Sequence, residues 1–116
     1  MEETVKQRKV AGVIQQTLSE IFLRENLSMV KGGMVTITQV SMSPDLGLAK
    51  IYLSLFKIKD KENFIEEITK HSADIRRHLG NKIRNQVRRI PELNFYLDET
   101  LDEVFRLEEI FKSLKK

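Results

Sequence analysis

Residues 34–56 read MVTITQVSMSPDLGLAKIYLSLF, and this stretch decides the fold. From Ala49 to Phe56 the chain alternates: Ala49, Ile51, Leu53 and Leu55 share one face, and Lys50, Tyr52, Ser54 and Phe56 the other. A period of two marks a strand with one face toward a core. Met34 to Met42, rich in Val, Ile and Thr, makes its partner. There the alternation slips, because Val35 and Ile37 fall on one face and Val40 and Met42 on the other. One extra residue near Gln39, a β-bulge, reconciles the two halves. Between the strands lies Ser43-Pro44-Asp45-Leu46-Gly47, a turn sequence that closes a hairpin. Asp45 is expected to hold that turn through side-chain bonds to backbone amides; the alternative, a polar contact to a nucleic acid, ranks below it because a carboxylate repels phosphate.

The flanking segments are helical. Upstream, Val10, Ile14, Leu18, Ile21 and Phe22 recur at helical spacing until the pattern fades near Asn26, and Lys31-Gly32-Gly33 breaks the chain before the first strand. Downstream, Asp60 is a suitable N-cap. From there Ile65, Ile68, Ser72, Ile75, Leu79 and Ile83 line one side of a helical stretch, which Gly80 weakens and Pro91 ends. Leu93–Leu97 reads as a third strand. Thr100-Leu101-Asp102-Glu103 has capping-box form, and Val104, Leu107, Phe111 and Leu114 stripe a final helix. The order α-β-β-α-β-α predicts an α+β fold, a small mixed sheet with its helices gathered on one face. Ile51, Leu53, Ile75, Leu79, Ile83 and Phe95 are expected to meet in its core.

At 116 residues the chain is expected to form a single domain spanning 1–116. It has no cysteine, which excludes a disulfide scaffold, a thiol nucleophile and a cysteine zinc site. No apolar run approaches the roughly 20 residues of a membrane span. The opening Met1-Glu2-Glu3-Thr4 is acidic and polar, with no apolar run behind it, so no signal peptide is expected and the expected address is the cytoplasm.

The net charge of +3 is laid out unevenly. Residues 1–69 balance 9 basic against 9 acidic side chains, and residues 92–116 hold 4 against 7. Residues 70–91 carry seven basic residues (Lys70, Arg76, Arg77, Lys82, Arg84, Arg88, Arg89) against Asp74 alone. A local excess of this kind is a footprint that polyanions recognise. On a helical wheel Lys70, Arg77, Arg84 and Arg88 fall roughly 180–220° from Ile75, if helix persists that far, and so point away from the core. Arg76 lies at the boundary of the apolar side and Lys82 flanks it. From Lys70 to Arg84 the row would run about 21 Å, enough to reach several phosphates.

No enzyme signature is present: no phosphate-binding Gly-x-x-x-x-Gly-Lys, no Gly-x-Ser-x-Gly and no His-Glu-x-x-His. No cofactor motif is found. His71, Asp74 and His78 have ligand-like spacing, but no further ligand converges on them, so solvated surface residues are expected and no metal. Gly-x-x-Gly and aromatic RNA-binding runs are also absent, which leaves backbone and shape recognition as the expected mode.

Three further stretches complete a pattern. Gln7-Arg8-Lys9-Val10-Ala11-Gly12-Val13-Ile14, the hairpin Val40–Leu46 with Ala49–Ser54, and Ile75–Gly80 followed by Arg88–Asp98 resemble, in order and spacing, the ribosome-binding factor A family of bacteria. The resemblance implies a KH-like fold of type II topology, α-β-β-α(kinked)-β with a C-terminal helix, in which a kinked helix pair replaces the Gly-x-x-Gly loop. The positions matching the kink are His71-Ser72-Ala73, without the family's glycine. It further implies a cytoplasmic, non-enzymatic and monomeric protein that binds 16S rRNA in immature 30S subunits, promotes late maturation and matters most in the cold. A helix-turn-helix DNA-binding regulator over Asp60–Val87, and a protein-interaction domain working through the acidic C-terminal helix, are the competing readings.

Overall fold

Thr4 opens the first helix with a capping box: its hydroxyl accepts from the Gln7 amide, and the Gln7 side chain accepts from the Thr4 amide. The structure is a computed structural model that describes residues 4–30 and 32–100, with Leu107, Ile110 and Lys112. Helix α1 runs Val5–Arg24 and buries Ala11, Ile14, Leu18, Ile21 and Phe22. Gln7 is buried as well, and its Nε2 donates to the Met42 carbonyl at 3.0 Å, so the start of α1 is tied to the far end of the hairpin.

The sheet has four strands in the order β1-β2-β3-β4, with β1 at Met29–Val30, β2 at Gly33–Met42, β3 at Leu48–Phe56 and β4 at Glu92–Leu97. β1 pairs with β2, and β2 with β3, antiparallel; β3 and β4 are parallel. A two-residue strand carries no periodicity, which is why the sequence pattern shows only a break before β2. Gly33 is required where it stands: a Cβ there would lie 2.7 Å from the Phe56 carbonyl oxygen and 2.8 Å from that of Lys57.

The bulge expected near Gln39 exists. Ile37 pairs with Leu53 and Gln39 with Tyr52, which leaves Thr38 as the extra residue. It reverses the alternation so that Val35, Ile37, Val40 and Met42 all enter one core. In the turn, Asp45 Oδ1 accepts from the Ser43 hydroxyl at 2.7 Å and from the Gly47 amide at 3.0 Å, and Leu46 adopts φ 61°. The Ser43 hydroxyl also accepts from the Leu48 amide. These bonds, as expected of Asp45, build the turn from within.

Asp60 caps the next helix by accepting from the Asn63 amide at 3.0 Å. The helical stretch is two helices, α2 (Lys61–Lys70) and α3 (Ser72–Ile83), separated by His71, the kinked pair that the resemblance implies. His71 has φ −97° and ψ 9°, a conformation open to any L-residue, so the kink forms without glycine. Ile68, Ile75, Leu79 and Ile83 face the same core as α1 and the sheet, and the six expected core residues are buried together there. The helix proper ends at Ile83, where the backbone turns through Arg84–Gln86. Of the final helix, Val104, Phe111 and Leu114 lie outside the described residues; Leu107 is helical and exposed.

Candidate nucleic-acid interface

The single straight row of cations anticipated on the wheel is not what the fold builds. Lys70 closes α2, Arg77 lies on α3 beyond the kink, and Arg88 stands five residues past the end of α3, in the bend that leads to β4. A wheel carries one axis through all of them; the backbone changes direction at His71 and again at Arg84.

The seven basic residues fall into three chemical situations. Arg76 and Arg89 are engaged by the fold. Arg76 Nε donates to the Pro91 carbonyl at 2.9 Å and its Nη2 to the Ile90 carbonyl at 2.8 Å, so its planar fork clasps the segment entering β4. The Arg89 guanidinium lies over Gly47, about 3.0 Å from where a Cβ would be, next to the Asp45 carboxylate. The Ser43 hydroxyl, the Gly47 amide and the Arg89 charge together hold the Asp45 carboxyl below its usual range. The Glu92 amide donates to the Gly47 carbonyl, which completes the joint between the hairpin tip and the segment before β4.

Lys70 and Arg77 form exposed pairs within one turn, Lys70 with Glu67 at 3.2 Å and Arg77 with Asp74 at 3.3 Å. Such surface pairs contribute about 0–1 kcal/mol and exchange readily for another anion. Lys82, Arg84 and Arg88 are exposed, and among the described residues their side chains make no hydrogen bond or ion pair. Lys82 lines a cleft of about 340 Å³ between α3 and α1, opposite Gln16 and Glu20.

The fold adds a contribution that the charge count along residues 70–91 missed. Lys6, Arg8 and Lys9 are exposed on the first turns of α1. The Gln7–Met42 bond sets those turns beside the hairpin tip, which the Gly47–Glu92 bond joins to the Arg88–Arg89 segment. One end of the molecule therefore collects cations from α1 and from the segment after α3. The signal in sequence was a buried-type glutamine amid charges, legible only once its partner is known. Among the described residues no group of three potential ligands, His71, Asp74 and His78 included, is placed to hold a metal ion. No described helix is long and apolar enough to cross a membrane.

With the two-residue β1 set aside, the α-β-β-α-α-β order, the parallel β3/β4 pair and the kink at His71 make the KH-like, type II arrangement. The profile of the family described as Ribosome-binding factor A matches residues 6–111. The chain belongs to the ribosome-binding factor A family. It is 40% identical over 112 residues to the ribosome-binding factor A of Cytophaga hutchinsonii, covering 97% of this chain and 84% of that one. The crystal structure of ribosome-binding factor A from Thermus thermophilus superposes with a TM-score of 0.63 at 18% identity, covering 78% of this chain and 94% of that one. The Thermus thermophilus factor as fitted into a cryo-electron-microscopy map of its 30S complex gives a TM-score of 0.59 at 20% identity, over 74% of this chain and 88% of that one. These two likenesses establish the shared fold.

Proposed function

We propose that this chain binds the 16S rRNA of immature 30S subunits and assists late small-subunit maturation in the cytoplasm, as a monomer without enzymatic activity and with particular weight in the cold. Family membership and the 30S complex of the Thermus thermophilus factor support a ribosomal partner. The observation that carries the RNA reading is the trio Lys82, Arg84 and Arg88, exposed cations whose side chains make no ion pair or hydrogen bond among the described residues. Arg77 and Lys70 join them by exchanging their weak partners for phosphate. Arg76 and Arg89 support the surface mainly by holding its backbone in place.

A helix-turn-helix reading is disfavoured by the connection between α2 and α3. Only His71 separates them, whereas that motif needs a turn of three or four residues. The test is co-sedimentation with immature and mature 30S particles across a salt series, with duplex DNA as competitor. Each phosphate contact adds about 0.7–0.9 to the slope of log affinity against log salt. Alanine at Lys82, Arg84 and Arg88 together should weaken binding and flatten the slope by roughly 2–3. Lys57→Ala with Lys59→Ala should do much less. Equal losses from both sets would mean diffuse charge, and no loss from the triple variant would reject the surface.

A further inference from the structure

The end of α1, the kink at His71 and the start of α3 enclose a groove of about 320 Å³. Its floor is apolar: Ile21, Leu27, Phe64, Ile68 and Ile75. Its exposed edge carries Glu25, Glu67 and Asp74, with His71 and His78 between them. Among the described residues, no lysine or arginine lines this groove. Lys70 and Arg77 sit just outside, paired with Glu67 and Asp74 across open surface, where such pairs hold weakly. A second depression shares Phe64 and Glu67 and continues along α2 toward Ile58, where Lys57 and Lys59 reverse the sign. The shape is thus elongated, suited to a peptide segment more than to a compact small molecule.

From these features we infer that the groove binds a basic amphipathic helix from a protein partner, its apolar side chains on the floor and its cations against Glu25, Glu67 and Asp74. An amphipathic helix laid in an apolar groove is a general mode of peptide recognition. The volume lies within the roughly 300–1,000 Å³ of specific ligand pockets. Three carboxylates at the edge repel a phosphate backbone and attract lysine and arginine, so the charge selects a basic protein segment and disfavours RNA. The site is separate from Lys82, Arg84 and Arg88, which would leave those cations available to rRNA while the groove is filled.

The test uses the full chain and two synthetic helical peptides of about 15 residues. Both have leucine at i, i+3, i+4 and i+7, one with lysine at the remaining positions and the other with glutamate. Binding is read by fluorescence anisotropy and mapped by amide chemical shifts. The expected result is that the lysine peptide binds about tenfold or more tightly than the glutamate peptide, with shifts centred on Leu27, Ile68, His71 and Ile75. Glu25→Lys with Glu67→Lys should weaken it about tenfold, whereas Glu92→Lys, on β4, should leave it unchanged. Both altered glutamates are exposed, and a lysine near the end of α1 suits the helix dipole, so the fold is retained. Equal binding of the two peptides, no binding by either, shifts outside the groove, or an undiminished Glu25→Lys/Glu67→Lys variant would each overturn the inference. So would shifts at these amides from an RNA oligonucleotide, from self-association, or from removal of residues 101–116. No ribosome enters the experiment, so its failure is distinct from failure of the rRNA reading.

Discussion

The Thr38 hydroxyl donates to Asp98 Oδ2 at 2.6 Å, tying the bulged residue of β2 to the residue just past β4 across the strand between them. Thr38 also approaches the Tyr52 carbonyl at 3.3 Å, and the Asp98 amide donates to the Leu53 carbonyl at 2.7 Å. The extra residue that re-phases β2 therefore serves as an anchor for the end of the sheet. Replacing Thr38 by Val keeps the shape and removes the donor, and should cost about 1 kcal/mol in chemical denaturation. An unchanged midpoint would show that the bulge holds without this bond.

The same bond makes stability acid-sensitive. The Thr38 hydroxyl, with the Thr100 amide, holds the Asp98 carboxyl below its usual value of 3.8. A carboxyl depressed in the folded state stabilises it fully above the unfolded value, and that contribution fades as pH falls through the folded one. Asp45, depressed by Ser43, Gly47 and Arg89, adds in the same direction. The melting temperature should therefore fall below about pH 4, and Asp98→Asn should be less stable at neutral pH with a shallower acid decline. Parallel profiles for the two proteins would exclude Asp98 as a source of the decline.

Leu79 is fully buried at the centre of α3's inner face. Leu79→Ala should cost roughly 2–5 kcal/mol, the range for an aliphatic truncation in a packed core. Urea denaturation measures it, and a loss of less than about 1 kcal/mol would place Leu79 outside the packed core.

Two glycines should respond with opposite sign. At Gly33 a methyl group meets two backbone carbonyls at 2.7 and 2.8 Å, and Gly33→Ala must displace the β2–β3 pairing to fit. At Gly80, inside α3, the nearest atom to a new methyl is an Ile90 carbon at 3.4 Å, an ordinary contact. Gly80→Ala should raise stability by about 0.5–1 kcal/mol through helix propensity, and Gly33→Ala should lower it. Thermal melts of the two variants settle the order.

The division among the arginines is testable without RNA. Arg76→Ala removes two bonds to backbone carbonyls and should cost about 1 kcal/mol, and Arg76→Lys should not restore it, because an ammonium lacks the planar fork. Arg84→Ala and Arg88→Ala should stay within about 0.5 kcal/mol of the parent. Equal destabilisation at all three positions would erase the distinction between clasping and free arginines.

The hairpin, the cap at Asp60, the strand Leu93–Leu97 and the six core positions were legible in sequence, because each rests on local spacing or on a turn that short-range chemistry dictates. Even the bulge showed itself as a slip in alternation near Gln39, and pairing with β3 settled that Thr38 is the residue left over. The resemblance, for its part, located the kink at His71-Ser72-Ala73. Tertiary structure decided the rest. The two-residue β1 exists only because β2 is there to pair with it. Arg76, Arg89 and Arg88 look alike as charges, but Arg76 finds carbonyls 14 and 15 residues away and Arg89 finds the hairpin tip, while Arg88 finds no partner among the described residues. Likewise Lys6, Arg8 and Lys9 joined the basic end through a Gln7 bond spanning 35 residues. Periodicity reports which way a side chain faces on its own element; what stands opposite it depends on how distant segments pack.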